Sequence, residues 1–133
     1  MEENNIMDFE NIDYIQLAAQ LIVAVTLLNV WLLRFNKSTQ WRGGNASSMK
    51  EEFKAYGLPN FMMYLVGGLK VLFGLGLIVG IAYPVTINIS AIGIVVLMLG
   101  AIGMHIKVKD APKKSFPAFT MLVISLLILV LNN

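Results

Sequence analysis

The sequence contains no cysteine and only one histidine in 133 residues. The absence of cysteine excludes disulfides, thiol redox relays and cysteine metal sites. One histidine cannot supply the several ligands of a transition-metal site, so we predict no bound metal. Residues 1–13 have no Lys or Arg and five acidic residues, which does not fit the positively charged start of a secretory signal.

Charged residues are also scarce. They make up 14% of the chain, hydrophobic residues make up 57%, and the mean hydropathy is +0.72. Soluble domains carry about 25% charged residues, so the composition predicts an integral membrane protein. The net charge of +2 does not predict nucleic-acid binding, because the basic residues flank apolar blocks and do not form a stripe with interleaved aromatic residues.

Four apolar blocks are long enough to cross a membrane, for which a helix needs about 20 residues. They cover residues 14–35, 60–82, 84–106 and 115–131. Each block is apolar nearly all round, which favours contact with lipid or with other helices. We therefore predict one all-α domain over residues 1–133, a four-helix bundle in the lipid bilayer. Gly76 and Gly80 have the spacing of close helix contacts, either within the bundle or between the copies of a homo-oligomer.

The long loop at residues 36–59 contains a predicted short helix at residues 48–56. Ser48 and Glu51 have the spacing of a capping box. The apolar residues recur at helical spacing, at Met49, Phe53 and Tyr56. The pattern predicts an amphipathic helix at the membrane interface. The alternative is a loop helix that packs the same apolar stripe onto the bundle.

Nine of the ten basic residues lie in two clusters, at residues 34–54 and 107–114. Loops rich in Lys and Arg face the cytoplasm. Both clusters can face the same side only with an even number of spans, so we predict that both termini lie on the non-cytoplasmic side of the cytoplasmic (inner) membrane. Trp31, Tyr64 and Tyr83 are typical of aromatic anchors at the membrane interface.

The tenth basic residue, Lys70, lies near the middle of the second block. A lysine at this depth costs about 2.5–3.5 kcal/mol on insertion scales and usually faces the bundle interior. Gly67 and Gly74 lie on the same helix face and allow a neighbouring helix to approach. The blocks contain no Asp or Glu at this depth, and the polar residues available there are Gln20, Thr26, Asn29, Thr120 and Ser125.

This set of neighbouring residues leaves three alternative states open for the Lys70 side chain. It is neutral at rest, or it is charged and held by amides, hydroxyls and water, or it awaits an anionic or carbonyl ligand. A fourth possibility is structural, with the side chain reaching to the interface.

His105 and Arg34 end their blocks on the same predicted side of the membrane. An interfacial histidine beside a helix C-terminus and an ordinary positive flank are the structural interpretations. Together the two residues predict a pocket at the cytoplasmic face that contacts a headgroup, a quinone or a proton.

Several segments resemble the DoxX-like family. Tyr64–Leu72 resembles its glycine-and-lysine helix, Leu99–Asp110 resembles the end of its third helix, and Lys114 with Phe116-Pro117-Ala118 resembles the start of its fourth. The resemblance implies a small four-helix membrane protein, and the family's namesake resembles the membrane subunit of a thiosulfate:quinone oxidoreductase. The family-pattern residues carried over by position are Gly68, Lys70, His105, Lys107 and Asp110.

Two functions follow as expectations. The first is an accessory or anchor subunit of a quinone-linked membrane redox system, with a partner subunit and quinone as the candidate cofactor. The second is a non-enzymatic small-molecule carrier or membrane assembly factor. We do not expect a stand-alone enzyme, because no second catalytic group is visible within the membrane. The candidate ligand-binding residues are Lys70, His105, Arg34, Asn29 and Gln20.

Overall fold

The computed structural model describes residues 2–133, with side chains described from Tyr14 onward. This part of the chain is helical and contains no strand. The helices are α1 (Glu2–Leu28), α2 (Met49–Ala55), α3 (Asn60–Val79), α4 (Ile87–Lys107) and α5 (Phe116–Asn132). The predicted all-α class is therefore confirmed. The side chains of residues 2–13, which include the five acidic residues near the N-terminus, are not among those described.

In the described part of the chain, four helical segments are long and apolar enough to cross a membrane. These segments are Tyr14–Leu33, Asn60–Val79, Pro84–Lys107 and Pro112–Asn132. The first includes a π-helical turn at Asn29–Leu33 that follows α1. Short 3₁₀ turns at Pro84–Thr86 and Pro112–Ser115 lead into α4 and α5. The chain thus has the architecture of a multi-pass membrane protein.

The four long helices form a closed square in which α1 and α4 each pack against α3 and α5. Glycines bring α3 close to α4. A Cβ atom at Gly76 would collide with Ser90, and one at Gly80 would collide with Ile87. The Gly76–Gly80 pair therefore packs within the bundle, where small residues allow close helix contact.

Side-chain amides join the helices at one end of the bundle, which we call the amide end. Gln16 Nε2 donates to both Gln20 Oε1 and Asn132 Oδ1 at 3.0 Å, and Asn132 Nδ2 donates to Asn88 Oδ1 at 2.9 Å. Gln20 Nε2 donates to Leu77 O at 2.8 Å. This bond satisfies a carbonyl in the last turn of α3, where intrahelical partners run out.

The buried apolar residues form two separate clusters. The larger one is contributed by all four long helices and includes Leu27, Leu77, Ile94, Met98, Met121 and Ile128. The smaller one lies at the other end and comprises Trp31, Met49, Phe53 and Met63. The α2 residues of this second cluster show that α2 packs its apolar stripe against the bundle. Its position relative to a membrane surface stays a prediction.

Candidate functional site

A cavity of about 930 Å³ lies between the two apolar clusters. Its walls come from α1, α3, α4 and α5, and α2 with its loop covers it at the basic end, which we define as residues 34–59 and 107–115. The ionisable residues among those lining it are Arg34, Arg42, Glu52, Tyr56, Lys70, His105 and Lys114. A largely apolar cavity of this size with a few converging polar groups is typical of a ligand site.

Lys70 reaches this cavity from the middle of α3 and meets an aromatic ring. Its Nζ lies 5.3 Å from the centroid of the Trp31 ring. An ammonium over a tryptophan face is attracted by the ring's quadrupole, and more strongly where water is excluded. Lys70 makes no ion pair with any residue among positions 14–133. Among the described side chains the Trp31 ring is therefore its partner, and the Lys70 amine keeps donor capacity for a ligand.

Local backbone geometry places Trp31 beside Lys70. The π-helical turn at Asn29–Leu33 is closed by the bond from Arg34 N to Asn29 O at 3.0 Å. Such turns are rare in helices and occur often at functional sites. The ring occupies space left by Gly67, because a Cβ atom there would collide with it. Phe53 of α2 packs edge-on against the ring, with centroids 5.9 Å apart.

His105 lines the cavity from α4 and is held by an acidic partner. Its Nδ1 lies 2.7 Å from Asp110 Oδ2, and both side chains are buried. Asp110 Oδ1 accepts from Gly44 N at 3.0 Å and lies 3.8 Å from Lys114 Nζ. A carboxylate on Nδ1 fixes the ring orientation and the tautomer. Nε2 makes no hydrogen bond with the described side chains, which leaves this nitrogen for a ligand.

Arg42 fixes the loop over the cavity. Its guanidinium is 4% exposed and pairs with Glu52, with Nη1 3.0 Å from Oε2. It also donates to Lys37 O at 2.9 Å and to Arg34 O, two carbonyls of the loop that follows the first span. Glu52 Oε1 in turn accepts from the Tyr56 hydroxyl at 2.7 Å. Sequence reasoning counted Arg42 only as a loop charge and missed this role.

Tyr56 makes the free energy of unfolding depend on pH. Burial raises the pKa of its phenol, and the Glu52 carboxylate raises that pKa further. The folded protein therefore keeps the neutral phenol at a pH where the unfolded chain, with a pKa near 10, has lost the proton. The resulting stability is fully present below pH 10 and is lost as the pH rises above it.

We expect the free energy of unfolding to fall above pH 10 by up to about 1.4 kcal/mol per pH unit from this group. Denaturant unfolding in detergent between pH 9 and about 11 checks the slope. In Tyr56→Phe the slope should be shallower, because the titrating group is gone. An equal slope in both proteins would contradict the prediction.

The structure brings together four of the five predicted ligand-binding residues. Lys70, His105, Arg34 and Asn29 line the cavity. Gln20 does not line it, because its amide bonds Leu77 O at the amide end.

The other family-pattern residues have different surroundings. Lys107 Nζ donates to Tyr56 O at 2.8 Å and so fastens the end of α2 to α4. Asp110 holds His105. Gly68 is exposed, and a Cβ atom there would meet no atom within 4 Å. The structure shows no contact that explains a glycine at this position.

Comparison with known proteins gives one match. The model of the DoxX-like family matches residues 18–128. The chain belongs to the DoxX-like family. The match includes every residue that lines the cavity of this DoxX-like protein. No curated protein and no solved structure matches the chain.

Proposed function

We propose that this DoxX-like protein binds a lipid-soluble quinone in the cavity and acts as an accessory or anchor subunit of a quinone-linked membrane redox system. One observation carries the proposal. The Lys70 ammonium lies against the Trp31 ring inside a cavity that His105 and Arg34 also line. These groups line one cavity although they come from three helices.

The chemistry of the lining suits a quinone. A quinone ring is flat and apolar, with carbonyl oxygens that accept hydrogen bonds at opposite edges. Lys70 and Arg34 are donors only, and His105 Nε2 donates when the ring is protonated. Leu27, Met98 and Met121 supply apolar wall for the ring and tail. When bound, a quinone supplies two-electron, two-proton redox chemistry, and the residues of this chain would hold it and carry protons near its carbonyls.

The accessory role is proposed because the chain offers few residues that could hold a second redox centre. The chain has no cysteine and one histidine, and residues 14–133 contain no cluster of ligands suited to a metal ion. A second redox centre is therefore expected on a partner subunit. We propose that the basic end faces the cytoplasm, because it carries nine of the ten Lys and Arg residues. The protein would then lie in the cytoplasmic membrane with both termini outside.

Bound quinone tests the proposal directly. Protein purified in mild detergent should yield quinone near one per chain on solvent extraction. Lys70→Met removes a charge-assisted hydrogen bond of about 1.5–3 kcal/mol, which corresponds to roughly tenfold to a hundredfold in affinity. We therefore expect Lys70→Met to lose most of the quinone.

Lys113→Met is the matched control. Lys113 is an exposed lysine of the basic end that does not line the cavity, so this variant should retain wild-type quinone content. Helix content by circular dichroism shows that each variant is folded. The proposal fails if the purified protein carries no quinone, or if Lys70→Met retains as much as Lys113→Met.

A carrier or assembly factor is the second candidate. The same cavity would hold a transported molecule, and Lys70 would line its path. A carrier must open to both sides of the membrane in turn. Here the amide end is closed by bonds from Gln16 and Gln20 to neighbouring helices. This closure favours retention of a ligand over its passage.

A further inference from the structure

The cavity reaches the outer surface of the bundle along α4. Val96 and Gly100 lie one turn apart on this helix, and both line the cavity. Both are also exposed, Val96 to 60%. The neighbouring residues Ile92, Leu99 and Gly103 are exposed too but do not line the cavity. Val96 and Gly100 therefore mark the edge where the cavity wall meets the membrane-facing side of α4.

The packing of α3 against α4 explains an opening at this edge. Glycines bring the two helices together at three contacts, Gly76 with Ser90, Gly80 with Ile87, and Phe73 with Gly93. All three lie toward the amide end. At Gly100, nearer the basic end, a Cβ atom would meet nothing within 4 Å. The apolar cluster at the basic end also has no member from α4.

We infer that the cavity opens sideways into the bilayer between α3 and α4, and that the hydrocarbon tail of an amphipathic ligand lies in this opening. The opening is bordered by Val66 and Lys70 on α3 and by Val96 and Gly100 on α4. A ligand entering from the lipid would place its polar headgroup against the Lys70 ammonium. Its tail would lie along the apolar edge formed by Val66, Val96 and Gly100. The identity of the headgroup rests on the proposed function, whereas the opening does not.

A second route out of the cavity is less suited to a tail. Thr26 and Asn29 line both the cavity and a groove of about 480 Å³ on the outer side of α1. A hydrocarbon tail there would cover a hydroxyl and an amide, and burying polar groups without hydrogen bonds is unfavourable. The apolar edge on α4 has no such cost.

Tryptophan fluorescence offers a test that needs no quinone. The chain has two tryptophans, and both line the cavity. In a Trp41→Phe background only Trp31 emits. This protein is placed in vesicles of phosphatidylcholine with and without brominated acyl chains, whose bromine quenches nearby tryptophan. Gly100→Phe fills the opening, and Gly103→Phe adds the same ring to the same helix outside the cavity.

We expect bromolipid quenching of Trp31 to be equal in the parent and in Gly103→Phe, and to fall in Gly100→Phe. Equal quenching in all three proteins would overturn the inference. A fall in Thr26→Phe but not in Gly100→Phe would place the opening on α1 and would also overturn it.

Solvent extraction of the same variants identifies the tail. Loss of quinone from Gly100→Phe shows that the tail is the quinone's. Loss of phospholipid alone shows that an acyl chain occupies the opening, which supports the opening while counting against the proposed quinone.

Discussion

Replacing Arg42 by methionine is expected to lower the free energy of unfolding by about 3–5 kcal/mol, the typical cost of removing one partner from a buried ion pair. The substitution leaves the Glu52 carboxylate, whose side chain is 12% exposed, without its cation. It also removes the donor to Lys37 O and Arg34 O. Unfolding in mixed detergent and denaturant, followed by circular dichroism, measures the loss.

Two further variants make this prediction specific. Lys50→Met removes an exposed charge from α2 and should change stability by less than about 0.5 kcal/mol. The double variant Arg42→Met with Glu52→Met should recover part of the loss, because no charge is left buried and unpaired. If Arg42→Met is no more destabilising than Lys50→Met, the ion pair does not hold the loop over the cavity.

The short helix α2 was predictable because its signals are local. The Ser48 hydroxyl accepts from Glu51 N at 3.2 Å, as the capping-box spacing indicates. Met49, Phe53 and Tyr56 are all buried, as expected of an apolar stripe. The same stripe serves a helix at a membrane surface and a helix packed on a bundle. The sequence pattern therefore leaves those alternatives open, and the structure shows the contact with the bundle.

The network around Arg42 and Asp110 was not predictable in the same way. Gly44 N donates to Asp110 across 66 positions in the chain. Lys107 Nζ bonds Tyr56 O across 51 positions. Contacts of this kind depend on how the two loops meet, and no periodicity within either loop encodes that. The family resemblance singled out Asp110 and Lys107 without indicating their partners.

For Lys70, the position and direction of the side chain could be predicted from the sequence, but its partner could not. Its depth and inward direction follow from the apolar block and from Gly67 on the same face. Its partner was sought among polar side chains, while Trp31 was assigned to the membrane interface. In the structure Trp31 packs on Gly67, and Gln20 lies level with Leu77. The register of α1 against α3 decides which residues of the two helices meet. Counting residues along each helix separately does not determine that register.

Gly67→Ala should break the contact between Trp31 and Lys70, whereas Gly68→Ala should leave it intact. The two glycines are adjacent on α3. A Cβ atom at Gly67 collides with the Trp31 ring, and one at Gly68 meets no atom within 4 Å. Overpacking of this kind costs about 1–3 kcal/mol. Alanine at Gly68 should instead stabilise the helix by up to about 1 kcal/mol.

The pair of variants separates the fit of the Trp31 ring from the general effect of adding a methyl group to α3. In the Trp41→Phe background, the emission of Trp31 should shift in Gly67→Ala and stay unchanged in Gly68→Ala. Bound quinone should fall only in Gly67→Ala, because only there does the ring leave the Lys70 ammonium. If Gly67→Ala shifts the emission of Trp31 but keeps the wild-type quinone content, the position of the Trp31 ring does not control ligand retention. Ligand retention would then depend on the other groups that line the cavity, among them Lys70, His105 and Arg34.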